Sequence, residues 1–160
     1  MRLIAKPLTS EAFAAFGEVL SAPRDPGRVY TEAALSSRRT QAAPSLSFTC
    51  KVPSLLPLRS TTMERHQFSS QSFVPMGGGR WIAVVAPHGA NGGPDMARAQ
   101  AFVAQPDQGV TYGADVWHHP FTVIDQPGRF AVFMWKDGTA TDEEFVEVAP
   151  FEVELEGDAA

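Results

Sequence analysis

Several features that often place a chain quickly are scarce or missing here. The sequence holds one cysteine, Cys50, in 160 residues. An internal disulfide framework is therefore excluded, and a reducing, cytoplasmic setting is expected. Long hydrophobic runs are also missing: the longest, Trp81 to Pro87, falls far short of the roughly 20 residues a membrane-spanning helix needs. The first residues place Arg2 before a stretch broken by Lys6 and Pro7, which does not read as a secretory signal. No Lys/Arg cluster is interleaved with aromatics, so no nucleic-acid groove is expected. From Asp142 to the C-terminus there are eight acidic residues and no basic one, so the net charge of −5 divides into −8 there and +3 before it. No repeat, heptad or low-complexity segment is visible.

What is present fits one globular domain over residues 1–160. The hydrophobic fraction is 44% and the charged fraction 19%, which is ordinary for a chain that buries a core. Thirteen glycines and thirteen prolines are spread without a period, favouring many short elements joined by turns. The N-terminal segment Leu8 to Gly17 predicts a short helix. Thr9 serves as its N-cap, Leu8 and Phe13 as a hydrophobic staple, and Gly17 as its left-handed stop. Residues 21–44 read as a loop, with a short strand near Val29-Tyr30 or a helical turn over Thr31 to Leu35.

Strand signals dominate from there on. Leu46, Phe48 and Cys50 alternate with polar neighbours and are expected to form the buried face of a strand, with Lys51 facing away from Cys50. Thr62 to Gln67, Gln71 to Pro75, Ala99 to Val103 and Val110 to Tyr112 are further strands. Trp81 to Ala86 is continuously apolar, as suits a strand covered on both faces. Phe121 to Ile124 and Phe130 to Trp135 flank Asp125-Gln126-Pro127-Gly128 and predict a hairpin. Asp142 to Val146 begins a helical turn. Phe151, Val153 and Leu155 alternate with Glu152, Glu154 and Glu156, reading as an edge strand whose charged face opposes mispairing. Such a pattern gives a mainly β fold, a β-sandwich or barrel with a short N-terminal helix.

Two segments carry chemistry. In Met63 to Met76, Glu64 and His66 lie two apart and share one face of a strand, with Gln71 following after a turn. In Gly109 to Pro120, a turn glycine leads to Tyr112 and then Trp117-His118-His119. His66 and His118 are the acid or base candidates, since an unperturbed imidazole titrates near neutrality, and Glu64 is placed to orient or charge His66. Tyr112 and Trp117 are candidate walls. His119 should face away from His118. His88 reads as a solvated loop residue, and Cys50 as no nucleophile. Glu64, His66, Gln71 and His118 also form an N2O2 set acceptable to divalent Ni, Mn or Zn without selecting among them. The sequence specifies no cofactor, and the metal-bound and metal-free readings both stand.

Glu64-x-His66-x4-Gln71-x6-Gly78 resembles the first motif of the cupin superfamily, with Glu for its first His and Gln for its Glu. Gly109 to His118 resembles a shortened second motif. Pro7-Leu8-Thr9-x-Glu11-Ala12-Phe13, Phe16-Gly17-Glu18-Val19, Glu64-Arg65-His66 with Gln71-x-Phe73-Val74-Pro75-Met76, and Val116-Trp117-His118-His119-Pro120 are similar to ureidoglycolate lyases. That resemblance implies a cupin-like jelly roll, a homodimer, and cleavage of ureidoglycolate to glyoxylate and urea in allantoin breakdown. It implies His66, His118 and Glu64 as catalytic residues, with Gln71, Tyr112, Trp117 and Lys136 binding a small-molecule substrate and Lys136 holding its carboxylate. The chain departs from the family pattern near Val29 to Ala33, at Cys50 and at Trp135-Lys136, where polar or cationic groups would grip that carboxylate. Two alternatives remain beside this reading. One is a divergent cupin transforming another small hydroxy or oxo acid, with or without a metal; the other is a non-catalytic binder of such acids.

Overall fold

A computed structural model describes residues 1–157. In chain order the elements are β1 (Arg2–Pro7), α1 (Ser10–Phe13), β2 (Gly17–Ser21), β3 (Ala43–Lys51), β4 (Leu58–Arg65), β5 (Gln71–Pro75) and β6 (Trp81–Ala86). They continue with β7 (Gln100–Ala104), β8 (Gln108–Tyr112), β9 (Trp117–His118), β10 (Thr122–Val123), β11 (Gly128–Lys136) and β12 (Glu144–Leu155). One sheet has the strand order β10-β6-β7-β1-β12-β4-β9, and β9 also pairs with β6, so this sheet closes on itself. The other has the order β2-β8-β5-β11-β3 and packs against it. The result is the mainly β, cupin-like jelly-roll sandwich and barrel that the resemblance implied. Among the described residues no helix is long and apolar enough to cross a membrane.

Two apolar layers hold this arrangement. Between the sheets, Phe13, Phe73, Trp81, Phe102, Tyr112 and Phe130 pack together. Inside the closed sheet, Met63, Ile82, Val84, Trp117, Phe151 and Val153 form a second cluster. Strand β6 serves both: Trp81, Ala83 and Val85 enter the first layer, Ile82, Val84 and Ala86 the second. That explains its unbroken apolar sequence, since neither face meets water. Each large side chain removed from water in this way stabilises the fold by about 1.5–3 kcal/mol.

The N-terminal helix forms as its cap predicts, but shorter. Thr9 Oγ1 accepts from the Ala12 N–H at 3.2 Å, and Leu8 and Phe13 are both buried. The helix ends at Phe13, so Gly17 does not stop it. Gly17 instead opens β2 at φ +153°, where a Cβ would lie 1.9 Å from the Thr111 carbonyl oxygen. Gly109 likewise lies within β8, not at a turn, and a Cβ there would meet the Phe73 carbonyl oxygen at 2.3 Å. Close backbone approach is what both positions require.

Other expectations are corrected. In β3 the apolar residues face out: Leu46 and Phe48 are 62% and 69% exposed and Cys50 is exposed, while Lys51 turns inward. Segments 121–124 and 130–135 do not form a hairpin. Thr122 and Val123 pair with β6 in the closed sheet, whereas β11 pairs with β3 and β5 in the other. The chain crosses between sheets at Asp125, whose φ is +68° and whose carboxylate takes two bonds from Arg80 at 2.7 and 2.9 Å. β12 is interior, between β1 and β4. Its glutamates face cross-strand arginines, Glu152 against Arg59 and Glu154 against Arg2. Residues 140–142 form a single 3-10 turn, and Glu144 already begins the strand.

Residues 22–42 cross the sheet ends as an irregular strap with no strand at Val29-Tyr30. At Thr31 to Leu35 only a turn forms, closed by Leu35 N–H to the Glu32 carbonyl at 3.1 Å. The strap is tied down at its far end. Ser36 and Ser70 exchange backbone and side-chain bonds, and the Arg38 N–H donates to the Phe68 carbonyl at 2.8 Å.

Candidate active site

The end of β4 brings Glu64 opposite His118 of β9. His66 follows two residues after Glu64, on the same face. Gln71 opens β5 beside Tyr112 of β8 and Met134 of β11. Three polar residues from the β4 and β9 region of the closed sheet thus meet one from β5 of the other sheet. Glu64, His66, Gln71 and His118 are all buried.

The histidine tautomers are set by backbone carbonyls. His66 Nδ1 lies 2.8 Å from the Asp142 carbonyl oxygen, and His118 Nδ1 lies 2.9 Å from that of Val116. A carbonyl only accepts, so each Nδ1 carries a proton, and on His66 this turns the Nε2 lone pair inward. His118 Nε2 sits 3.2 Å from Glu64 Oε1 and 3.2 Å from Gln71 Oε1. His66 Nε2 is buried with no hydrogen-bond partner among the described residues. The ligand atoms of Glu64, His66 and His118 lie within 4.8 Å of one another. Acceptors converging without a donor need either a shared proton or a cation.

The same geometry shifts the titrations. Burial pushes the Glu64 carboxyl up, but the His118 hydrogen bond and the nearby charges of His118, His66 and Lys51 outweigh it, leaving its pKa below the ordinary value. His66 is held below the ordinary imidazole value, first by burial and then by His118, against the opposing bond to Asp142. Burial, with the Glu64 charge, pushes the Tyr112 phenol up.

Tyr112 stacks flat on His118, with ring centroids 4.1 Å apart and planes at 9°, and its buried hydroxyl has no partner among the described residues. Trp117 is not in this group. It enters the core of the closed sheet, donates from Nε1 to the Gly92 carbonyl at 3.1 Å and lies beneath Arg65. Alternation along β9 puts it on the opposite face from His118, which corrects its expected place as a pocket wall. His119 is also turned away, 3.0 Å from Ser60 Oγ and edge-on to Phe151, and burial lowers its pKa to about 4. His88 is exposed in its loop as expected, and its Nε2 also bonds the Asp115 carbonyl at 2.8 Å.

Lys136 is exposed at the end of β11. The inward cation is Lys51, whose Nζ donates to the Phe121 carbonyl at 3.1 Å, lies 4.4 Å from the Phe121 ring centroid and acts electrostatically on Glu64. Sequence reading missed Lys51 by assigning the wrong face of β3 to the core. It also missed the Asp142 carbonyl, for which no side-chain pattern gives a signal.

The family model described as ureidoglycolate lyase matches residues 1–156. The chain belongs to the ureidoglycolate lyase family. Relatives in the family include a putative ureidoglycolate lyase of Agrobacterium fabrum (strain C58 / ATCC 33970), 38% identical over 139 residues that cover 86% of this chain and 85% of that protein. The ureidoglycolate lyase of Rhizobium leguminosarum bv. trifolii (strain WSM2304) is 37% identical, covering 91% and 92%. That of Schizosaccharomyces pombe (strain 972 / ATCC 24843) is 31% identical, covering 89% and 88%. Among solved structures, a dTDP sugar isomerase from Desulfovibrio desulfuricans G20 aligns with a TM-score of 0.50 at 16% identity, covering 82% of each chain. That likeness concerns the fold alone.

Proposed function

We propose that this protein cleaves ureidoglycolate to glyoxylate and urea. The observation that carries the reading is the unequal pair of imidazoles, one Nε2 free of partners on His66 and the other bonded to Glu64 on His118. Family membership supplies the substrate.

The reaction needs one base and one acid. His66 Nε2 removes the substrate hydroxyl proton; its lowered pKa keeps it neutral and able to accept. The oxygen's electrons form the aldehyde C=O of glyoxylate as the C–N bond breaks. The departing urea nitrogen takes a proton from the His118–Glu64 pair. That pair ends the step one proton poorer and His66 one proton richer, and exchange with water restores both. Gln71 and the unpartnered Tyr112 hydroxyl are the hydrogen-bonding groups for the ureido end. Lys51 is better placed than Lys136 to hold the carboxylate, since it already points inward.

A divalent metal also fits the residues. Glu64, His66 and His118, with Gln71 as a weak fourth group, would hold Ni, Mn or Zn, on the evidence of the convergent lone pairs. When bound it would polarise a coordinated oxygen as a Lewis acid. Those lone pairs also favour a second reading, a metal-dependent enzyme acting on another small hydroxy or oxo acid.

The remaining parts of the proposal are its setting in cytoplasmic allantoin breakdown and action as a homodimer. Leu46, Phe48, Val74 and Met76 lie exposed on the outer side of the five-stranded sheet, beside the unpaired edge of β3. A second copy would cover this surface. The test of the activity is release of glyoxylate and urea from ureidoglycolate above its spontaneous breakdown.

A further inference from the structure

Arg39 belongs to the strap, and nothing in its sequence neighbourhood suggests a role at the site. Its side chain is nevertheless only 11% exposed. Nη1 bonds to both Asp137 Oδ1 at 2.8 Å and Asp142 Oδ1 at 2.9 Å, and Nη2 donates to the Thr141 carbonyl at 3.2 Å. The guanidinium carbon sits 4.0 Å from the Phe68 ring centroid. The two carboxylates are almost as buried as the arginine, at 11% and 8% exposed.

Those carboxylates build the 137–142 turn. Asp142 accepts from the Asp137 N–H at 3.1 Å and the Gly138 N–H at 2.9 Å, and Asp137 accepts from the Thr139 N–H at 3.0 Å. The same Asp142 presents its backbone carbonyl to His66 Nδ1. From this chain of contacts we infer that Arg39 is a positioning residue: by clamping Asp137 and Asp142 it fixes the carbonyl that sets the tautomer and orientation of His66. Phe68 lies two residues beyond His66, so the cation-π contact grips the same segment from the other side.

Removing Arg39 leaves two buried carboxylates sharing one small turn with no cation between them. Without the guanidinium that ties both side chains and the Thr141 carbonyl together, the turn opens, the Asp142 carbonyl moves, and the imidazole loses the acceptor that kept Nε2 unprotonated and aimed at Glu64 and His118. Partners that orient functional imidazoles from behind typically matter about 10–100-fold. Lysine carries the charge but not the planar fork that reaches both carboxylates and stacks on Phe68, so it restores part of the effect.

The inference rests on the proposed reading of His66 as a working imidazole of the site, and its test reads the imidazole directly. Nitrogen-15 spectra of the protein labelled at histidine are recorded at fixed pH for wild type, Arg39→Gln, Arg39→Lys and the double variant Arg39→Gln/Asp137→Asn. The double variant removes one charge of each sign and keeps the test informative where the single one fails to fold. Wild type should show His66 as one tautomer protonated at Nδ1. The folded Gln variants should show a tautomer mixture, with Arg39→Lys between the two. On ureidoglycolate, kcat should fall 10–100-fold with KM changed less than about threefold. An unaltered single tautomer in the folded variants overturns the inference whatever the activity does. A tautomer mixture with unaltered turnover upholds the positioning by Arg39 and removes His66 from the proposed mechanism.

Discussion

His66 and His118 face each other with ring centroids 5.6 Å apart, and each has its Nδ1 committed to a backbone carbonyl. The two Nε2 atoms are what differ. One is buried and unpartnered, while the other shares its position with the Glu64 carboxylate. From two chemically identical side chains, the fold makes one free base and one paired donor.

Lys51, not Lys136, should hold the substrate carboxylate. A bond to a charged group contributes about 1.5–3 kcal/mol, or roughly 10–100-fold. Lys51→Met is therefore expected to raise KM by that factor, while Lys136→Met leaves it within about twofold. Initial-rate kinetics on both variants check this, and the reverse order would return the role to Lys136.

The three convergent ligand atoms should take up a divalent ion. Titration of chelator-treated protein with Zn, Mn and Ni is expected to raise the melting temperature for at least one ion. His66→Ala and His118→Ala should each abolish the rise. A rise that survives both substitutions would place binding elsewhere.

Stability should fall in acid through His119. Its folded pKa is about 4 against 6.5 for an ordinary histidine, so as pH falls the unfolded chain takes up the proton first. The contribution is complete above about 6.5 and is lost progressively as pH drops toward 4, by on the order of 3 kcal/mol for a shift of this size. His119→Gln, which can still bond Ser60, should lose less stability than wild type between pH 7 and pH 4.5 in urea unfolding. Parallel losses in the two proteins would count against this origin.

The exposed outer face of the five-stranded sheet should bury itself in a dimer. Sedimentation of the wild type is expected to give a dimer, and Phe48→Asp with Leu46→Asp a monomer. A wild-type monomer at working concentration would refute the assembly.

Much of the fold was legible because local rules and tertiary packing agree. Thr9 caps α1, β6 is apolar on both faces, and Phe151, Val153 and Leu155 point inward as their alternation requires. Alternation does not say which face is the inner one, however. In β3 the apolar face is exposed and the face bearing Lys51 turns in. Turn chemistry at Asp125 to Gly128 marked a reversal but could not tell a hairpin from a crossing between sheets. At the site, the two-residue spacing of Glu64 and His66 and the opposed faces of His118 and His119 could be read from the chain. The same parity argument puts Trp117 with His119, away from His118. The Asp142 carbonyl and its Arg39 clamp depend on contacts across 76 and 103 residues, which no local pattern encodes.

The central claim is that His66 and the His118–Glu64 pair cleave ureidoglycolate. The most direct measurement is the release of glyoxylate and urea from ureidoglycolate, with spontaneous breakdown subtracted, by wild type, His66→Ala, His118→Ala and Glu64→Gln. General acid or base groups typically contribute about 10²–10⁴-fold. Wild type should release both products in equal amounts, with kcat lower by that range in both histidine variants and by a smaller factor in Glu64→Gln. Wild-type release no faster than the spontaneous reaction, or full activity in His66→Ala and His118→Ala, would contradict it.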